Sequence, residues 1–175
     1  GETPGTLQAA VLRSPHAHAE LLSVDATAAL AMPGVRAVLT GEDVKRWSQP
    51  FVVGVKAPMQ HWALAVDRVR YSGEPVAVVI AEDRYLAEDA LDAIRVEYRA
   101  LPATVDIAEA SEAGAPVLHE AVGSNVVNER FFRYGDPEQA FAGASRRVAL
   151  TVHYPRNSCT PIECGVVVAE HQPEA

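Results

Sequence analysis

Apolar runs and alternating positions predict several strands in the first part of this chain. In residues 20–25 (ELLSVD), the alternation places Leu22 and Val24 on one face. Residues 76–81 (VAVVIA) are apolar on both faces and rich in β-branched side chains, which is typical of a strand covered on both sides. The predicted strands are residues 7–12, 20–25, 35–39, 76–81 and 96–98.

Helical spacing and capping residues predict helices between these strands. After Asp83, a favourable N-cap, apolar residues recur at helical spacing while acidic residues point the other way. Asp25 is placed to cap a short helix over residues 26–31, and Thr40 to begin a polar helix that runs to residue 47. Residues 49–60 have little periodicity, so we interpret them as a surface loop. After Asp83 the apolar positions are Leu86, Ala87, Ala90, Leu91 and Ile94, and the acidic positions are Glu88, Asp89 and Asp92.

The second part of the chain has a different pattern. Residues 105–123 are rich in Ala, Glu and Gly, and they indicate a connector with one helical turn. Asp136 at the cap and Pro137 at the first helical position then predict a helix. Strand-like runs cover residues 125–134, 147–154 and 166–169, and the last of these should belong to a larger sheet.

The order of these elements predicts the fold class and the domain organisation. Strands that alternate with helices indicate a mixed fold, either α/β or α+β. We place a domain boundary near Ala115, where the composition changes. Residues 1–115 then form one domain, and residues 116–175 begin a second domain that is incomplete.

Composition and charge narrow the possible partners. The chain has 175 residues, of which 49% are hydrophobic, and a formal net charge of −8. A surface of this sign repels phosphates, which argues against a nucleic acid or an anionic membrane as a partner. No apolar run in the sequence approaches the roughly 20 residues that a membrane-spanning helix needs. Two cysteines do not make a disulfide scaffold, so we expect a reducing, cytoplasmic location.

The stretch NSCTPIECG, residues 157–165, contains both cysteines and raises the main chemical question. Cys159 and Cys164 lack the C-x-x-C spacing of zinc and redox sites, and His153 and His171 flank them without forming a known ligand pattern. Packing is therefore the favoured role for Cys164. A nucleophilic Cys159 would need a nearby base such as His153.

Two further motifs contain side chains of the kinds that bind metals or line active sites. In PHAHA, His16 and His18 would share one face of a strand, but two nitrogens do not make a metal site, and a turn or packing role is favoured. In YSGEP, Glu74 follows Gly73 and precedes a buried strand, where it either faces a pocket or accepts hydrogen bonds from turn amides. The sequence contains no Gly-rich phosphate loop, nucleophile elbow or kinase signature, so the residues by themselves show no self-contained catalytic set.

Two long stretches of the first part of the chain are AAVLRSPHAHAELLSVDATAALAMPGVRAVLTGEDV and VRYSGEPVAVVIAEDRYLAEDALDAIRVEYRALPATVD. A third, in the second part, is RYGDPEQAFAGASRRVALTVHYPRNSCTPIECGVVVAEH. In this order they resemble one enzyme family, the molybdenum hydroxylases, which include xanthine dehydrogenase, aldehyde oxidase and carbon monoxide dehydrogenase. The first two resemble the N-terminal α/β-hammerhead domain of the large subunits, and the third resembles the start of the molybdopterin-binding region of the same subunit. Together these stretches run from about residue 7 to residue 171.

This resemblance implies an oxidoreductase that hydroxylates an aldehyde, an N-heterocycle or a similar small substrate with oxygen from water. The implied cofactors are molybdenum–molybdopterin, usually as the cytosine dinucleotide in bacteria, and 2Fe–2S clusters and FAD, often on separate subunits. The implied partners are the remainder of the large subunit or a separate molybdopterin-binding chain, and the iron–sulfur and FAD subunits. Most cofactor contacts and the catalytic base come from the C-terminal half of the family subunit. This chain is therefore expected to be a scaffold and pocket wall that is inactive alone.

The resemblance also suggests roles for residues at the edge of the molybdenum site. Asn157 lies at or beside a family glutamine whose amide reaches the oxygen ligands of molybdenum, although its side chain is one methylene shorter. Glu163 matches a family glutamate, and we expect it to brace the loop. Many relatives have a histidine near Thr160, and its absence here points toward the carbon monoxide dehydrogenase-like group. The side chains expected to pack on the molybdenum domains are Trp47, Phe51, Met59 and Trp62.

Two alternative functions stay open at the level of sequence. One is a stand-alone module that uses the hammerhead fold for assembly without catalysis. The other is a thiol enzyme built on Cys159. The substrate is not readable from this chain, because its specificity residues would come mainly from the rest of the large subunit.

Overall fold

Strands and helices alternate along the first hundred residues of the computed structural model, which describes residues 4–52, 59–155, 162–163 and 165–171. The chain divides into two units, Gly1–Arg130 and Phe131–Ala175. The strands are β1 (Gln8–Arg13), β2 (Ala19–Asp25), β3 (Val35–Thr40), β4 (Phe51–Val52), β5 (Gln60–His61), β6 (Arg68–Val69), β7 (Pro75–Ala81) and β8 (Arg95–Ala100). The helices are α1 (Thr27–Leu30), α2 (Gly41–Trp47), α3 (Arg84–Leu91), α4 (Ile107–Ala110) and α5 (Pro137–Gly143).

The first unit is built on two three-stranded antiparallel sheets. One sheet has the strand order β1-β7-β3, and the other has the order β6-β2-β8. The short strands β4 and β5 form a separate antiparallel pair. The mixed fold predicted from the alternation of elements is confirmed, and the antiparallel pairing makes it α+β.

Strand β7 is the centre of the first sheet and separates two hydrophobic cores. It pairs with β1 on one side and with β3 on the other. Val79 lies in the first core, which includes side chains of α3, and Val76 lies in the second core beside β2 and β6. Both valines are fully buried, and no residue of β7 is exposed. The predicted strand covered on both sides is therefore confirmed.

Helix α3 follows the predicted pattern of apolar and acidic positions. The side chain of Asp83 caps it by accepting a hydrogen bond from the Leu86 amide at 2.9 Å. Ala87 and Ala90 are buried against the first sheet, while the predicted acidic positions are exposed. The helix is amphipathic, and burial of its apolar stripe holds it on the sheet.

Helix α2 begins with a capping box. The Thr40 backbone amide donates to the Asp43 carboxylate at 2.9 Å, and the Thr40 side chain accepts from the amide of the third helical residue. These reciprocal bonds satisfy amides that the first turn leaves without intrahelical partners. Thr40 is therefore the N-cap of α2, where the sequence predicted the helix to start.

A β-bulge corrects the predicted face of Leu22. The register between β2 and β8 shifts between Leu21 and Ser23, so that Leu22 has no residue opposite it. A bulge reverses the alternation of side chains beyond it. Leu21 and Val24 consequently pack on the second core, whereas Leu22 is 53% exposed. The prediction that Leu22 and Val24 share a face is wrong.

Two smaller predictions in the first unit also need correction. The surface loop predicted for residues 49–60 contains the paired strands β4 and β5 at its ends, and residues 53–58 lie outside the described residues. The N-cap of α1 is Ala26 and not Asp25. The Asp25 carboxylate nevertheless accepts a hydrogen bond from the Thr27 amide at 2.9 Å, so it still serves the first turn.

The chain after residue 124, most of which forms the second unit, contains the predicted helix but not the predicted strands. Helix α5 begins at Pro137, and the Asp136 side chain accepts from the Gln139 amide at 3.0 Å. The described parts of residues 125–134, 147–154 and 166–169 form no strand, and Val148 is 92% exposed. A strand needs a backbone partner for its hydrogen bonds, and none of the described residues of this unit provides one. The strand predictions for these residues are wrong.

The units divide at a different place from the predicted domain boundary near Ala115. Residues just after Ala115 belong to the first unit, where Asn125 ties the connector together. Its side chain accepts from the Leu118 amide at 2.9 Å and donates to the carbonyls of Ala110 and Pro116 at 3.1 and 2.9 Å. The domain boundary at Ala115 concerns the domains of the family, and the division into compact units does not test it. It therefore stays a prediction. Over the described residues, no helix has the length and apolar character to cross a membrane.

Candidate functional site

The residues assigned to the edge of a molybdenum site are only partly described. Asn157, Cys159, Thr160 and Cys164 lie outside the described residues. Glu163 is exposed at a bend of the second unit, and His153 and His171 are exposed as well. The roles assigned to all of these residues therefore stay predictions.

His16 and His18 do not form a pair on a strand. They lie in the connection between β1 and β2, and their surroundings differ. The His18 ring is buried, with Nδ1 2.9 Å from the Pro102 carbonyl oxygen. The His16 ring packs beside Tyr98, with ring centroids 4.8 Å apart. Both rings therefore have packing roles, which the sequence favoured.

Glu74 satisfies amides of the turn that precedes β7. Residues 71–74 form a turn in which the Glu74 amide donates to the Tyr71 carbonyl at 3.2 Å and Gly73 has a φ of +91°. The Glu74 carboxylate accepts from the Arg70 amide and from the Tyr71 amide. Burial raises the pKa of Glu74 above its ordinary value of 4.5, and these amides with the charge of Arg70 oppose that rise. Of the two roles that the sequence left open, the turn role is the one observed.

A cleft of about 360 Å³ opens in the first unit, where the sequence predicted no site. Helix α2 contributes Lys45 to its wall, and β5 with the chain after it contributes Gln60 and Trp62. The connector closes the wall with His119 and Glu120. We call this feature the connector cleft, and its lining is Lys45, Gln60, Trp62, Val66, Asp67, Arg70, His119, Glu120 and Ala121.

Ion pairs fix the connector beside this cleft. Arg68 contacts Glu120 of the connector at 2.6 Å and Glu20 of β2 at 3.4 Å. Arg99 of β8 also pairs with Glu20. This network joins β2, β6 and β8 to the connector. It holds Glu120 at the cleft with its negative charge balanced by Arg68.

Two cationic groups in the lining keep unused hydrogen-bonding capacity. Arg70 contacts Asp67 at 3.5 Å, while its Nε is buried and has no hydrogen-bond partner among the described residues. The Lys45 ammonium makes no ion pair within the described part of the chain. Buried donors without partners are uncommon in folded proteins, and they indicate that water or a ligand supplies the acceptor.

His119 lies near three other basic side chains, Arg70, His61 and His18. Its ring is in edge contact with His61, with centroids 5.5 Å apart. Burial lowers the pKa of His119 below 6.5, and Arg70, His61 and His18 lower it further because each disfavours a second positive charge nearby. The lowered pKa makes neutral imidazole the resting form of His119 near pH 7.

Acidification is expected to weaken the fold through His119. Because the pKa of His119 is lower in the folded state, the unfolded chain binds more protons as the pH falls through 6.5, and stability is lost in that window. Glu74 acts in the opposite direction, since its raised pKa favours the folded state below that pKa. We expect His119→Asn to be less sensitive than the wild type to a change from about pH 7.5 to about pH 5.5 in urea unfolding followed by tryptophan fluorescence.

His153→Asn is the matched control for this experiment, because His153 is exposed in the second unit. It should keep the wild-type dependence of stability on pH. An equal loss of stability on acidification in His119→Asn and in the wild type would show that His119 does not carry the effect.

Sequence reasoning missed the connector cleft because its walls come from distant parts of the chain. Lys45, Trp62 and His119 share no motif and no spacing. The nearest signal was the prediction that Trp47, Phe51, Met59 and Trp62 pack against another surface. Trp47 and Phe51 are 65% and 64% exposed, while Met59 and Trp62 are partly buried. Whether this group packs on other domains stays a prediction.

The described His, Asp and Glu side chains form no group of three or more that could hold a metal ion. His61 and His119 are therefore an aromatic pair in this structure, and the chemistry that the connector cleft offers is binding by charge and ring contact.

Comparison with known proteins yields consistent similarities. The model of the family described as aldehyde oxidase and xanthine dehydrogenase, a/b hammerhead domain, matches residues 2–102. The carbon monoxide dehydrogenase large chain of Hydrogenophaga pseudoflava is 38% identical over 95% of this chain and 22% of its own length. The nicotinate dehydrogenase large molybdopterin subunit of Eubacterium barkeri is 33% identical over 79% of this chain and 31% of its own length.

Solved structures show the same similarity. The crystal structure of quinoline 2-oxidoreductase from Pseudomonas putida 86 superimposes with a TM-score of 0.72 and 37% identity, covering 82% of this chain and 19% of that one. The chain thus spans about a fifth to a third of the length of these proteins. Their names indicate three chemically different substrates, although all resemble this chain to a similar degree.

Proposed function

Since this chain belongs to the aldehyde oxidase and xanthine dehydrogenase family and carries its a/b hammerhead domain, we propose that it is the N-terminal part of the molybdopterin-binding subunit of a molybdenum-dependent hydroxylase or dehydrogenase. The observation that carries this proposal is the colinear similarity of nearly the whole chain to the large chain of a carbon monoxide dehydrogenase. The family consists of oxidoreductases, and this chain corresponds to one region of them.

In the proposed enzyme this chain serves as a scaffold and as a wall of the substrate pocket. Residues 1–115 would be the hammerhead domain, and residues 116–175 would begin the molybdopterin-binding domain. The two cores around β7 support the scaffold role, because they give the first unit a stable interior of its own. The exposed apolar side chains of Val148, Leu150 and Val152 support contact with the remaining subunit.

Two residues of this chain are assigned by resemblance to the edge of the molybdenum site. Glu163 is exposed at a bend, and Asn157 lies outside the described residues. We therefore propose that the remainder of the large subunit, or a separate molybdopterin-binding chain, holds molybdenum–molybdopterin as the cytosine dinucleotide. Partner subunits would hold the 2Fe–2S clusters and FAD, and the chain by itself would be inactive.

The proposed substrate is a small molecule such as an aldehyde or an N-heterocycle, and oxygen from water would be added to it. The similar degrees of identity to proteins named for carbon monoxide, nicotinate and quinoline support the proposal that this region does not set the choice of substrate. Specificity would then lie in the other part of the subunit. A cytoplasmic location, predicted from the two cysteines, belongs to the same proposal.

Purification of the complete large subunit with its partner subunits tests the proposal. We expect bound molybdenum by elemental analysis, visible absorption from 2Fe–2S clusters and FAD, and oxidation of an aldehyde or N-heterocycle with incorporation of ¹⁸O from labelled water. The isolated chain should show none of these three signals. A purified complex with no molybdenum would instead favour the assembly module, and loss of activity in Cys159→Ser would favour the thiol enzyme.

Glu163→Gln tests the proposed bracing role in the assembled enzyme. We expect kcat to fall about tenfold, with molybdenum content unchanged, because a misplaced loop disturbs the geometry of the reacting groups. Glu170→Gln is the matched control, since Glu170 is also exposed in the second unit. Equal activities of the two variants would contradict a role for Glu163, and Glu163→Asp should restore part of the activity if the carboxylate itself is needed.

A further inference from the structure

We propose that the connector cleft binds a small aromatic carboxylate. The inference does not depend on the proposed function, because it rests on the lining of the cleft in the first unit. It assigns a ligand class to a cavity of about 360 Å³ that lies outside residues 157–165, the stretch assigned to the edge of the molybdenum site. A cavity of this size suits a ligand with one ring.

The charges of the lining favour an anionic ligand. Arg68 balances Glu120 at 2.6 Å, and Arg70 contacts the Asp67 carboxylate at 3.5 Å and donates to the Arg68 carbonyl at 3.4 Å. The Lys45 ammonium makes no ion pair within the described residues, and the buried Nε of Arg70 has no described acceptor. A carboxylate accepts hydrogen bonds from a guanidinium and from an ammonium at once, so it matches what these two side chains lack.

The rest of the lining favours a planar apolar body on that ligand. Trp62 is partly buried at the cleft, and the ring of His119 lies in the same wall. Val66 and Ala121 add apolar surface between the polar groups. Aromatic rings stack favourably on such side chains. A ring joined to a carboxylate would therefore contact both the aromatic and the cationic side chains of the lining.

The unpaired positive charge distinguishes the connector cleft from the rest of the surface. The whole chain carries a net charge of −8, so its average surface repels anions. The lining contains two cationic side chains, Lys45 and Arg70, and two acidic ones, Asp67 and Glu120. Glu120 pairs with Arg68 and Asp67 with Arg70, so Lys45 is the charge of the lining that no described side chain neutralises.

Titration of the full chain with benzoate, benzamide and acetate at constant ionic strength tests the inference by NMR. Trp62 lies in the cleft and Trp47 outside it, so the two indole N–H signals give a site signal and an internal reference. We expect benzoate to shift the Trp62 signal to saturation. Benzamide, which has the ring without the charge, and acetate, which has the charge without the ring, should each bind about fivefold more weakly.

Two substitutions on α2 test whether benzoate binding depends on the positive charge of Lys45. Lys45→Gln should weaken benzoate binding about fivefold, because an exposed ammonium contributes modestly to an ion pair. Arg46→Gln removes the same charge from the neighbouring exposed position, which does not line the cleft, and it should leave the affinity unchanged. Trp62→Leu, followed by the backbone amide signals of the lining residues in place of the indole signal, should abolish the preference for benzoate over acetate.

Three results would overturn the inference. The first is the absence of a saturable Trp62 shift up to about 50 mM benzoate, which leaves no binding of consequence. The second is equal weakening by Lys45→Gln and Arg46→Gln, which would indicate attraction by net charge. The third is equal affinity for benzoate and benzamide, which would show that the carboxylate is not recognised.

Discussion

Gly41→Ala is expected to lower the free energy of unfolding by about 3 kcal/mol, the upper end of what overpacking usually costs. Gly41 is the buried first residue of α2, and a Cβ there would lie 2.1 Å from the Ala65 carbonyl oxygen and 2.8 Å from the Val66 Cα. Both neighbours are backbone atoms, so relief requires movement of the helix or of the segment beside it. The preference of helices for alanine over glycine, about 1 kcal/mol, offsets part of the cost.

Urea unfolding followed by tryptophan fluorescence measures this effect, since both tryptophans lie in the first unit. Gly143→Ala is the control, because Gly143 ends α5 and an added Cβ would have no described atom within 4 Å. Its unfolding, followed by circular dichroism, should stay within about 0.5 kcal/mol of the wild type. A Gly41→Ala protein as stable as the wild type would show that α2 does not dock this closely.

Ala87→Leu is expected to destabilise the chain by about 2 kcal/mol because it overpacks the interface between α3 and the first sheet. Ala87 is fully buried, and the residues facing α3 from β7 include Ala77 and Ala81, which are also fully buried. Small side chains on both surfaces allow the helix to lie close to the sheet. Three additional carbon atoms at Ala87 therefore have no space without displacement of the helix.

Asp89→Leu is the matched control for this substitution, because Asp89 lies on the exposed face of the same helix. It introduces the same side chain where no packing constrains it, and stability should change by about 0.5 kcal/mol or less. Equal stabilities of the two variants in urea would show that the interface contains free volume at Ala87. A fall confined to Ala87→Leu supports the close packing seen in the structure.

The sequence by itself determined those features whose cause is local. Residues 76–81 are apolar on both faces, so a strand there had to be covered on both sides, and β7 is. Asp83, Thr40 and Asp136 lie one residue before a helix and cap it, as predicted. The family could also be recognised from sequence, because it rests on long colinear stretches and not on contacts in space.

The tertiary structure alone decided those features that depend on partners far along the chain. The bulge at Leu22 depends on the register with β8, which no pattern within residues 20–25 records. The alternation in residues 147–154 favours a strand, yet a strand forms only where another backbone is available to pair with it. The connector cleft brings Lys45, Trp62 and His119 together through the path of the chain. Periodicity and capping act over a few residues, whereas register, pairing and cavities arise from contacts between residues that the sequence keeps far apart.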